Sequence, residues 1–174
     1  YEFDLPDAGT YWYHPHANSR EQVARGLSGA LVIEEREPIR VDRDLTWVLG
    51  DWRLERSAQI RDDFGNVMDA THAGRLGNTV TINGVVPESD DVRAGERVRL
   101  RLVNAANARV FALEFAGHDP RIVAIDGQPV EPHAPVGGRV IIAPAMRVDL
   151  VIDMAGKPGE KHAVHDRYYP RQQY

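Results

Sequence analysis

A chain of 174 residues has the length of one domain, or of one domain carrying pieces of its neighbours. An apolar share of 43% supports an ordinary core, and a net charge of −5 with no basic cluster argues against a nucleic-acid partner. Cysteine is absent, which excludes disulfides, thiolate nucleophiles and cysteine-based zinc sites, and no apolar run approaches the ~18 residues of a membrane-spanning helix.

In chain order, Tyr11-Trp12-Tyr13-His14-Pro15-His16 reads as a strand running into a loop, since Pro15 removes a backbone donor. Ser19 to Arg25 follows with one or two helical turns, capped by Asn18 or Ser19 and stopped at Gly26. Leu31-Val32-Ile33 is apolar and extended, and Glu34 to Pro38 looks like a seam. Strand formers then recur at Leu45–Leu49, Thr79–Ile82, Val98–Val103, Val110–Phe115, Val123–Ile125, Arg139–Ile142 and Arg147–Ile152. Asn83-Gly84 and Asp126-Gly127 mark turns, and a short turn is expected within Leu54–Asp62. Short strands at this spacing with few helices predict an all-β sandwich or barrel. The expected organisation is 1–35 as the end of one unit, 36–43 as linker, 44–156 as a compact β domain and 157–174 as a trailing segment. Neither end looks natural: the chain opens on Tyr1, and Tyr168–Tyr174 reads as a strand that continues.

His14 and His16 are the residues that carry chemistry. On an extended strand, side chains at i and i+2 share a face, so two imidazoles project side by side toward one metal or two adjacent ones. Imidazole suits zinc, copper, iron and nickel. Taken alone, His-x-His is better read as a surface pair.

The surrounding residues change that reading. Gly9-Thr10-Tyr11-Trp12-Tyr13-His14-Pro15-His16, then Gln22, then Gly26-Leu27-Ser28-Gly29-Ala30-Leu31-Val32-Ile33 resembles the multicopper oxidase family, where such a segment closes the first cupredoxin-like domain. Asp51-Trp52, Asn83-Gly84, Arg97 to Asn104, Gly117-His118 to Asp126-Gly127, and Ala143 to Asp149 resemble the second domain of three-domain members. The resemblance implies a Greek-key cupredoxin-like β-sandwich preceded by terminal strands of another such domain. It implies that His14 and His16 each bind one copper of a coupled type 3 pair, within a trinuclear centre that reduces O₂ to water. The other ligands of that centre, and the type 1 copper that needs a cysteine, would lie outside this chain.

On this reading the parent is a laccase-like oxidoreductase. It takes electrons from a small reducing substrate (phenolic, amine or metal ion), depends on the missing domains of the same protein, and is periplasmic or secreted. The chain alone is expected to be inactive and to bind copper weakly. The alternatives are a non-catalytic cupredoxin-like structural or interaction module, and a nitrite-reductase-like copper protein.

The remaining polar residues take plainer readings. His118 is expected to be a hydrogen-bonded turn residue, His72 and His133 exposed loop residues, and His162 with His165 only remotely a metal pair. Asp62-Asp63-Phe64-Gly65 and Glu88-Ser89-Asp90-Asp91 lack the full spacing of a calcium loop and read as solvated acids. Arg97, Arg99 and Arg101, alternating along one strand, read as a solvated outer face.

Overall fold

The computed structural model describes residues 2–167. The expected strand over Tyr168–Tyr174 lies outside them. The described residues form one small ribbon and two larger sheets. The ribbon pairs β1 (Gly9–Tyr13) with β2 (Gly29–Ile33), antiparallel from Gly9↔Ile33 to Tyr13↔Gly29. Between them lies α1 (Ser19–Ala24), with Asn18 as N-cap. The Asn18 side chain bonds the Glu21 carboxylate at 2.8 Å and makes no bond to a backbone N–H.

The larger sheet is built from β3 (Arg43–Trp52), β4 (Thr79–Ile82), β5 (Arg97–Asn104), β7 (Arg121–Ile125), β8 (Gln128–His133) and β10 (Arg147–Asp153), in the order β4-β3-β5-β10-β7-β8. β3 and β5 run parallel and the other neighbours antiparallel. The second sheet has β6 (Phe111–Phe115) between β9 (Val140–Ile142) and β11 (Val164–Asp166). The two sheets enclose one core: Leu100, Leu102, Leu150 and Ile152 from the first meet Phe111, Leu113, Val140 and Ile142 from the second. Each of these side chains is almost wholly removed from water, a gain of about 1.5–3 kcal/mol apiece.

Both turn dipeptides hold. Asn83 and Gly84 have φ of 52° and 79°, and Asp126 and Gly127 have 51° and 83°. Positive φ at both central residues is what a tight hairpin turn with the twist of its flanking strands requires. The second turn joins β7 to β8, a strand absent from the sequence reading. β8 carries Pro129 and Pro132, which argue against a strand interior, but it lies at the sheet edge, where a missing N–H costs no ladder bond. His133 therefore ends an edge strand instead of sitting in a loop, though it is exposed as expected. A five-residue helix, α2 (Val67–Thr71), was not anticipated either. The segment before it makes a turn closed by a Leu54↔Ile60 bridge.

The expectation for the β5 arginines is overturned. Arg99 and Arg101 do not form a solvated outer face. Each side chain is only 3% exposed, and both lie against Asp149, itself 1% exposed. The β1–β2 ribbon packs over this side of the larger sheet, touching β3, β5 and β10. The alternation in β5 thus marks two buried faces, one apolar and one of paired charge. Arg97 alone keeps the predicted exposure, forked onto Asp153 at 2.6 and 2.8 Å.

Candidate metal centre

β1 delivers the two imidazoles. The strand ends at Tyr13, and His14 and His16 follow at the start of the loop that leads to α1. Their rings stack with centroids 4.8 Å apart and planes 25° from parallel, so the i, i+2 spacing does bring them side by side. Trp12 stacks on the other face of His14 at 4.3 Å. His14 is half-buried and His16 exposed.

The Nδ1 of His14 lies 3.2 Å from the carbonyl oxygen of Pro15. An N–H at Nδ1 donating there leaves Nε2 with its lone pair free, the tautomer a metal-bound imidazole adopts when its second nitrogen is held by a carbonyl. Among the described residues no protein group hydrogen-bonds the His16 ring. Two adjacent imidazoles with free nitrogens are a suitable partial donor set for copper. They are not a complete one: no group of three or more His, Cys, Asp or Glu side chains fit for a metal occurs among the described residues.

A cleft of about 420 Å³ opens beside His14, between Trp12, Phe64, Asp69, Arg75 and Pro144. Its outer wall is the loop between β3 and β4. Arg53 binds Asp63 at 3.0 Å and forks onto Asp69 at 2.7 and 2.9 Å. Arg75 also binds Asp63, and its guanidinium lies 4.0 Å from the Phe64 ring centre, with Arg25 of the α1 end 4.7 Å from the same ring. Burial pushes the Asp63 carboxyl up, but the bonds from Arg75 and Arg53 outweigh it and hold the group below its ordinary value. Asp63 is therefore not a solvated acid, as the sequence suggested, but the hub of an arginine cluster. Asp62 remains largely exposed and pairs with Arg25 at 2.8 Å.

The other histidines stand apart from the pair. His118 bonds the Ala116 carbonyl oxygen through Nδ1 at 3.2 Å, the turn role expected of it. His162 meets it edge-on, with ring centres 4.6 Å apart. His72 is exposed beside the Thr71 hydroxyl, and His165 lies on β11 opposite Glu114.

The polar group that sequence reasoning missed lies behind β1. Thr10 is wholly buried, and its hydroxyl donates to Asp149 at 2.9 Å and accepts from Arg101 at 2.8 Å. The available signal is Arg99 and Arg101 alternating with apolar residues on one strand, with Asp149 set among the apolar residues Val148, Leu150, Val151 and Ile152 of another.

The family model for multicopper oxidase matches residues 43–169, and a second multicopper oxidase model matches residues 1–38. This chain belongs to the multicopper oxidase family. The multicopper oxidase of Staphylococcus haemolyticus is 32% identical over 92% of the chain, which spans 36% of that protein. Laccase-1 of Thanatephorus cucumeris is also 32% identical, over 91% of the chain and 30% of its own length. Among solved structures, the multicopper oxidase of Pseudomonas thermotolerans superimposes with a TM-score of 0.88 at 35% identity, covering 94% of this chain and 39% of that one. The fold is accordingly the all-β, cupredoxin-like one of multicopper oxidases, and the chain spans about a third of the length of its relatives.

Proposed function

We propose that this chain is part of a copper-dependent oxidase that removes electrons singly from a reducing substrate and passes them to O₂, giving water. The stacked His14–His16 pair at the end of β1 carries this reading. His14 and His16 would each give one imidazole nitrogen to one copper of a type 3 pair. Copper held there would supply the redox chemistry, one-electron oxidation coupled to reduction of O₂. The protein groups hold it in place. Trp12 backs His14 with an aromatic face, and the Pro15 carbonyl fixes which ring nitrogen faces the metal. The remaining ligands, and a type 1 copper with its cysteine, belong to parts of the parent beyond these residues. Residues 36–43 link the segment bearing the pair to a second domain over residues 44–156, which spaces the outer domains. Phenols, amines and oxidisable metal ions are the substrate classes in view, and a periplasmic or extracellular setting goes with this chemistry. Among the described residues no helix is long and apolar enough to cross a membrane.

The test is copper content and O₂ uptake of the full-length protein with a phenolic substrate. His14→Ala and His16→Ala should each lose copper from the pair and abolish O₂ reduction while the fold persists. Full copper content and undiminished turnover in both variants would remove the pair from the site. A full-length protein that binds no copper would favour the non-catalytic module.

A further inference from the structure

β1 pairs with β2 and rests on β5 and β10 of the larger sheet. Under the ribbon is a buried polar set. The Thr10 hydroxyl gives its hydrogen to Asp149 Oδ2 at 2.9 Å and takes one from Arg101 Nη1 at 2.8 Å. Arg101 forks onto Asp44 with two bonds of 2.8 Å. Arg99 Nη2 donates to Asp149 and to Glu35, just past β2, at 2.6 Å each. A hydroxyl has one donor, and here its direction is fixed by a carboxylate on one side and a guanidinium on the other. Few other arrangements satisfy all three groups, so the set specifies where Thr10 sits as well as contributing attraction.

Thr10 is linked mechanically to the histidines. Alternation puts Thr10, Trp12 and His14 on one face of the extended chain, with His14 about 13 Å from Thr10 at roughly 3.3 Å per residue. Trp12 stacks on His14, and His14 on His16. A one-residue slip of β1 would turn that whole face over. Gly9 reinforces the register: its φ is 146°, and a Cβ there would run into the carbonyl oxygen of Gly127 on the β7–β8 turn.

We propose that Thr10, clamped between Asp149 and Arg101, is a positioning residue for the copper pair, holding β1 so that His14 and His16 each address one copper of the pair. The proposal rests on the copper reading above. Thr10 touches no metal and acts through the strand. The alternative is a purely structural role, in which any equal loss of stability would disturb copper equally.

The experiment uses the full-length copper-loaded protein and reads two properties. One is copper affinity, by competition with a chelator. The other is the fraction of copper silent in electron paramagnetic resonance, because a coupled cupric pair is silent and an uncoupled one is visible. Thr10→Val keeps the shape and removes the hydroxyl. It should fold, lose about tenfold or more in affinity at the pair, as loss of an orienting outer group does, and make silent copper visible. Thr10→Ser should restore wild-type behaviour, and Thr10→Ala reads the same property if the valine variant does not fold. Asn104→Ala, which removes the buried bonds that the Asn104 side chain makes to the carbonyl oxygens of Arg109 and Ile142 and to the Ala106 N–H, should melt earlier yet keep its copper silent.

Wild-type affinity and silence in the hydroxyl-free variant would overturn the proposal. So would an equal loss of copper in Asn104→Ala. If the unmutated protein shows no silent pair sensitive to His14→Ala, the copper reading itself fails and the proposal falls with it, a result visible before any Thr10 variant is made.

Discussion

Asn104, at the end of β5, has no exposed surface, yet every polar atom of its side chain is engaged. Its amide donates to the carbonyl oxygens of Arg109 and Ile142, both at 2.8 Å, and its oxygen accepts from the Ala106 N–H at 2.9 Å. It thereby ties the exit of β5 to β9 in the opposite sheet. Asn104→Ala strands several of these groups away from water, and a stranded buried group costs about 1–3 kcal/mol, so a loss of roughly 2–4 kcal/mol is expected. Urea unfolding measures it, and a loss under about 1 kcal/mol would mean that the site relaxes and rehydrates. The sequence does not announce such a residue, because an asparagine after a strand reads equally well as a turn. His14 and His16 were legible for the opposite reason: spacing alone puts two imidazoles together, and the stacked rings follow from it. Thr10 was not legible, since its importance comes from Arg101 and Asp149, which are remote in the chain.

The loop between β3 and β4 shows how an element without a regular pattern is held. Its five-residue helix α2 has Asn66 as N-cap, accepting from the Met68 N–H at 2.9 Å, and no buried residue. With no apolar stripe there was no periodicity to read, so the sequence suggested only a turn nearby. Arginine–carboxylate pairs hold the segment instead, with Asp63 shared among Arg53, Arg61 and Arg75. Asp63→Ala should therefore loosen the loop more than the molecule. Limited proteolysis between β3 and β4 should quicken several-fold, while the main melting transition moves little, because the sandwich core contains none of these groups. Equal acceleration of cleavage throughout the chain would show that the loop is part of the global unit. β8 and β5 teach the same lesson for strands. Prolines hide β8 because edge position cannot be seen locally, and alternation in β5 reads as a wet face because the covering ribbon comes from residues far upstream.

For the molecule as a whole, the sandwich was legible because its core strands alternate or run apolar between clear turns. The seating of the ribbon was not, because it depends on charges that pair only in the folded state. That dependence has a consequence in acid. Burial pushes the Glu35 carboxyl up, but its bond to Arg99, 2.6 Å away, with Arg101 at 3.7 Å, outweighs burial and holds it below its ordinary 4.5. Asp63 is likewise held below its ordinary 3.8. A carboxyl whose folded value is depressed stabilises the fold fully above its unfolded value, and that stabilisation is lost as pH falls through the folded value. The stabilisation from these groups should then be complete and independent of pH near neutrality and decline once the pH drops below 4.5, with the Asp63 share following below 3.8. Glu35→Gln should melt clearly earlier than wild type at pH 7 and Asp63→Asn only slightly earlier, since its ion pairs lie in the β3–β4 loop, and each gap should close as the pH is lowered. The two losses should add, since Glu35 and Asp63 share no partner. Melting curves across this range check it: a gap that stays constant into acid would mean that the variants disturb packing and that the ion pairs do not hold the ribbon or the loop.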